Sequence, residues 1–329
     1  DNSSLDITRW AFDLLMAKES PQVCYGNMIP WIITHSSRNQ AWGGMNKVLK
    51  STAVNGWNLF WIITVPISLA MITGMLRSDL SNGPAVSSMI QASVRCAVPW
   101  LYIAFAASSV QILWPGPLGL WLARNRKFIG LSFAAAMAWQ GFFILWMVLV
   151  YSDYYITEVY VMRDAIEGVV GYLFLAAMTL TSFMPIRKHM APKSWKLLHK
   201  SGMYFLWAYA FSVYWWNLFY YDNPGWLDYT YYWMGLTAWC LRAAAWTKKR
   251  RTRLAKHEAT TTAPALFGVL AYVAIGVGLV AAAFGKAWYP AASNLLTGYS
   301  FTRFPELYVP YWPFEPWLPV FVIALGAYL

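Results

Sequence analysis

Few residues in this chain can do acid–base, metal or redox chemistry, and they are unevenly placed. There are four histidines, three cysteines and 14 acids among 329 residues. His257 lies in a basic polar tail and His189 in the basic stretch "RKHMAPKSW", so both read as solvated, and His35 follows a short interfacial run. His199 alone stands at the mouth of an apolar, aromatic run, "SWKLLHKSGMYFLWAYAFSVYWW" (194–216). A histidine at the edge of a membrane helix is placed to ligate a metal or a haem iron. A transmembrane b-type haem takes two axial ligands, and no second histidine falls inside an apolar run. Met137 and Met203 are alternatives, although methionine also serves as packing filler. Cys24, Cys96 and Cys240 are odd in number and form no CxxC pair, so neither a disulfide framework nor a zinc site is implied.

The elements that must position His199 are membrane helices. The chain is 59% hydrophobic and only 12% charged, about half the charge of a soluble domain. Its 21 Trp, 21 Tyr and 18 Phe suit broad interfacial belts. The net charge of +11 sits at the ends of apolar runs, which reads as topology signals and contacts to anionic lipids rather than to nucleic acid. Apolar runs near the roughly 20 residues a spanning helix needs fall at 56–76, 95–114, 129–151, 168–186, 199–221, 229–247 and 264–285. An eighth begins near Pro316. Every second connection is basic: Arg38, Lys47 and Lys50; Arg124, Arg126 and Lys127; Arg187 to Lys200; Lys248 to Lys256. The alternate connections carry Asp153, Glu158, Asp164, Glu167, Asp222 and Asp228. This alternation sets the N-terminus and the basic connections in the cytoplasm. No acid falls inside the first six runs, and only Pro66 is a candidate midplane break, so a proton-driven or substrate carrier is not expected.

Three domains are expected: an N-terminal interfacial arm (1–54), a six-helix membrane domain (55–253), and a linker with C-terminal membrane helices (254–329). In the arm, "SLDITRWAFDLLMAK" has an apolar helical face. The segment 286–314, rich in Pro, Tyr and Trp, is expected to be a long outer loop against the interface. The chain opens on Asp1 and closes at Leu329 inside an apolar run, so a piece of a longer product is expected. Arg95, opening the second run, and Arg242, near the cytoplasmic end of the sixth, are within snorkelling reach of lipid headgroups. The alternative is that they hold a carboxylate or phosphate. Lys248, Lys249, Arg250 and Arg251 are further candidates for lipid or anion contact.

From Arg95 to Arg251 the chain resembles the ferric-reductase-like transmembrane domain family. The likeness is to its small bacterial branch, which includes the haem-binding membrane subunit of the periplasmic methionine sulfoxide reductase system. The matching pieces, in order, are Arg95, "RNRKFIGL" (124–131), "LTS" (180–182) and "WKLLHKSGMY" (195–204), the last resembling the family's Trp-x-x-Leu-His signature. The resemblance implies a six-helix bundle holding b-type haem between the third and fifth spans through histidines at three places. Here those places are Gln140, His199 and Ser212. With two of three positions non-ligating, the expectation is a haem-less scaffold with a vestigial site, Gln140 and Ser212 satisfying one another or a lipid, quinone or carotenoid filling the space. Trp139, Trp146, Trp207, Trp215 and Trp216 would offer flat surfaces for such a molecule. The reading is an accessory or structural subunit of a larger membrane complex with other membrane subunits as partners, not itself expected to be an enzyme. The alternative is an electron-transfer protein with haem b on His199. No nucleotide-binding fingerprint follows the spans.

Overall fold

The computed structural model of the protein describes residues 47–221, 223–256, 265–296, 300–301, 304–308 and 317–329. Most of the expected N-terminal arm lies outside these residues. The described chain is helical apart from one two-stranded antiparallel hairpin, β1 (Ser300–Phe301) with β2 (Phe304–Tyr308). The helices are α1 (Gly56–Arg77), α2 (Gly83–Leu113), α3 (Pro117–Val150), α4 (Met162–Leu180), α5 (Pro192–Phe219), α6 (Trp226–Lys256), α7 (Ala265–Ala283), α8 (Gly285–Leu296) and α9 (Trp317–Tyr328). Four of them are long and apolar enough to cross a membrane: α1, α2, α3 and residues 266–283 of α7. The protein is an all-α membrane protein. Helices α4, α5 and α6 have 19, 28 and 31 residues.

Helix α2 is the axis of the bundle. It forms a long antiparallel hairpin with α3 and also packs on α1, α5 and α6. At 31 and 34 residues, α2 and α3 extend about 46 and 51 Å. Local chemistry sets their ends. Asn82 caps α2 by accepting from the Ala85 N–H at 2.9 Å. The Trp114 N–H closes the helix on the Val110 carbonyl at 2.8 Å, and Pro117 sits in the first turn of α3, where a missing N–H costs nothing. These signals start α2 and α3 each 12 residues earlier than hydropathy does, while their ends fall within one residue of it. The cause is that Ser87, Ser88, Gln91 and the basic run Arg124–Lys127 are helical rather than connecting. Arg95 therefore does not open its helix. It lies well inside α2 with an exposed side chain. The basic run after the sixth span is also helical, since α6 continues to Lys256. The expected outer loop 286–314 instead holds most of α8 and the β-hairpin.

The lipid-facing surfaces are plain. Trp57, Trp61, Ile62, Val65, Leu69, Ile72 and Leu76 of α1 are exposed, as is most of α7, a pattern that suits contact with lipid or with another apolar surface. Helices α7 and α9 approach through glycines. A Cβ on Gly278 would stand 2.6 Å from Ile323 Cγ1, and one on Gly326 would stand 2.6 Å from the Ala271 carbonyl oxygen. Small residues that admit close backbones are the usual means of helix association in lipid.

Candidate functional site

The first turn of α1 is fastened to α3 by a buried amide. Gly56 takes φ +63°, a left-handed conformation that suits glycine, and its N–H donates to Asn125 Oδ1 at 2.9 Å. Asn125 Nδ2 donates to Asn55 Oδ1 at 2.7 Å, which also accepts from Arg124 Nη2 at 2.7 Å. Asn125 is 1% exposed. Sequence reading missed it because an Asn between two arginines looks like a connection. Its clue was the apolar residues around it at helical spacing.

His199 lies two turns into α5, against the C-terminal end of α4. The Thr181 hydroxyl donates its one proton to the Ala177 carbonyl at 2.6 Å and is 3.1 Å from His199 Nε2. Trp195 covers the imidazole at 4.3 Å between ring centroids and donates to the Thr181 carbonyl at 3.1 Å, while the Arg187 guanidinium lies 4.3 Å over the Trp195 ring. Three residues of the family-like motifs, Thr181, Trp195 and His199, thus form one latch that joins α4 to α5.

The other two positions implied by the resemblance lie apart from this latch. Gln140 Oε1 accepts from Tyr172 Oη of α4 at 2.9 Å, and the same hydroxyl is 3.1 Å from the Met137 carbonyl. Gln140 is therefore paired with Tyr172 rather than with Ser212. Ser212 is buried on α5, 13 residues beyond His199 and thus about 20 Å along the helix. The donor set is one imidazole hydrogen-bonded to Thr181, one amide held by a phenol, and one distant hydroxyl. It does not fit a haem b gripped from both faces.

The middle of the bundle is packed with rings. Trp207 of α5 stacks on Phe105 of α2 at 5.3 Å and 8°, and on Trp239 of α6 at 4.9 Å and 17°. Phe211 continues the stack to Tyr232, at 5.2 and 5.1 Å. Trp207 Nε1 donates to the Gly235 carbonyl at 2.9 Å. Trp215 is fully buried, with Phe219 at 4.4 Å and Trp288 of α8 at 5.3 Å. The faces of Trp207 and Trp215 are thus covered by protein rings. Trp139 differs: it lines a shallow apolar groove of about 540 Å³ with Ile72, Leu76 and Phe142, and its Nε1 donates to Ser68 Oγ at 3.1 Å.

The acids sit at the opposite end. Asp228 is buried in the first turn of α6, accepting from Asn217 Nδ2 at 2.9 Å and from the Gly225 N–H at 2.8 Å, a capping role that favours a carboxylate at a helix start. Glu167, expected in a connection, lies within α4 at 6% exposure.

The cations meet at the basic end. Arg242 crosses the core: Nη1 donates to the Phe105 carbonyl at 2.8 Å and Nε to Tyr204 Oη at 3.1 Å. Its guanidinium lies over the Phe105 ring at 4.4 Å and the Tyr204 ring at 4.7 Å. Lys248 Nζ donates to the Ile112 and Leu113 carbonyls at 2.7 and 3.2 Å, and Arg250 donates to the Tyr328 carbonyl. Both therefore serve helix C-termini, of α2 and α9, where cations are favoured. Arg251 is exposed. Arg242 also lines a cavity of about 890 Å³, shared with His199, between α2, α3, α4, α5 and α6. No group of three or more metal-ligating side chains occurs among the described residues.

No protein-family model, curated protein or solved structure matches the chain.

Proposed function

We propose that this protein is a haem-less relative of the ferric-reductase-like membrane domains and acts as an accessory subunit of a larger membrane complex. In this reading α1 to α6 are the six-helix domain, embedded in a bacterial inner membrane with the basic end in the cytoplasm. The observation that carries it is the ring stack Phe105–Trp207–Phe211–Tyr232, which occupies the middle of the bundle while His199 is committed to Thr181. Broad exposed apolar faces on α1 and α7 support packing against lipid or neighbouring subunits. Its test is extraction of the full-length protein in a mild detergent from its native membrane. A stoichiometric complex with other membrane proteins is expected, and a stable lone monomer contradicts the proposal.

A second reading, an electron-transfer protein with His199 as one haem ligand, is favoured by the position of His199 on a basic cavity. It requires the Thr181 bond to open. A Soret band lost in His199→Ala would carry it.

A further inference from the structure

The cavity at the basic end gathers cations from several helices around one apolar volume. Three cations reach it from α3, Arg124, Arg126 and Lys127. Arg187 comes from the turn after α4, and Lys193, Lys196 and Lys200 come from the first turns of α5. No Asp or Glu is among the described residues that line it. Cations gathered in a concave, low-dielectric site concentrate anions strongly. The cavity is otherwise apolar: Leu101 and Ala104 of α2, Leu131 and Phe133 of α3, and Met203 of α5 line it. At about 890 Å³ it lies in the range of small-molecule sites. The Arg242 guanidinium lines it as well, held by two protein bonds and two ring faces. Those bonds use two of its five donors. Planar guanidinium groups match phosphate oxygens well.

From this arrangement we infer that the cavity binds a phosphate ester with an apolar extension, its phosphate among Arg187, Lys196 and Arg242 and its apolar part along Leu101, Leu131 and Met203. An anionic phospholipid and a soluble phosphate ester share this chemistry. The site stands independently of the proposed accessory role, because it needs no partner subunit; a haem held on His199 would share its volume.

The test is native mass spectrometry of the full chain released from detergent, with added phosphatidylglycerol, phosphatidylcholine or glycerol 3-phosphate. One phosphatidylglycerol per chain is expected, bound at least about tenfold more tightly than phosphatidylcholine. The double variant Arg187→Gln/Lys196→Gln, whose side chains are exposed at the rim, weakens it about tenfold or more. Arg253→Gln, an equally exposed cation outside the cavity, leaves it within twofold. Arg242→Gln has the same effect as the double variant wherever its thermal midpoint shows it folded. Glycerol 3-phosphate binding with the same dependence on Arg187 and Lys196 supports the phosphate site and assigns a soluble source. Equal loss in the double variant and Arg253→Gln, or equal binding of the two lipids, overturns the inference.

Discussion

Between α2, α5 and α6 the middle of the bundle is filled by rings, with Trp207 flanked at near-parallel angles by Phe105, Trp239 and Phe211. Toward the basic end the same helices, joined by α3 and α4, surround a cavity of about 890 Å³ ringed by cations. The two regions meet at one level, where Arg242 lies over Phe105 and Tyr204. The difference is instructive. Flat surfaces that could clasp a planar cofactor are spent on one another in the middle, whereas the end keeps open volume with no Asp or Glu among the described residues that line it. A scaffold of this kind holds its shape by ring packing and presents its chemistry at the end, so the two regions should respond differently to substitution.

The largest effect is expected in the middle. Trp207→Ala removes a ring with three stacked neighbours and a hydrogen bond to Gly235, and should cost about 3–5 kcal/mol, read as a lowered thermal midpoint in detergent. A loss under about 1 kcal/mol would mean that the rings do not hold the bundle. Asn125→Ala tests the polar fastening at the basic end. It leaves the Gly56 N–H without its partner and removes one of the donors to Asn55 Oδ1, which keeps Arg124, and should cost about 1–3 kcal/mol, with faster hydrogen exchange confined to the start of α1. Tyr102→Phe is the smallest and has the opposite sign. Tyr102 Oη is buried with no hydrogen-bond partner among the described residues, so deleting it should be neutral or raise stability by about 1 kcal/mol. A clear loss would show that this hydroxyl has a partner, and that the middle is less closed than the ring packing suggests.

Much of the fold was legible because apolar runs and alternating basic connections are cumulative signals. The centres of α1 and α7 follow from hydropathy alone. The starts of α2 and α3 did not, because hydropathy ignores capping, whereas their ends did. Asn82 followed by Pro84 marks a helix start that the polar residues Ser87, Ser88 and Gln91 obscure. The site was legible only in part. His199 stood out as a lone imidazole at a helix mouth, and Trp195 and Thr181 were visible as motif residues, but their mutual bonding depends on how α4 meets α5. The pairing of Gln140 with Tyr172 joins residues 32 apart in the chain, which no local pattern encodes. The cavity was invisible for the same reason. Its cations were read as separate topology signals, and only the packing of α3 against α4 and α5 places them around one volume.

The central claim, that the bundle is closed by its own rings and engages His199 through Thr181, is tested most directly by the visible absorption spectrum of the full-length protein purified after haem-replete expression. The account predicts no Soret band and no haem by extraction at stoichiometric level, for the wild type and for His199→Ala alike. A Soret band at one haem per chain that vanishes in His199→Ala would contradict it.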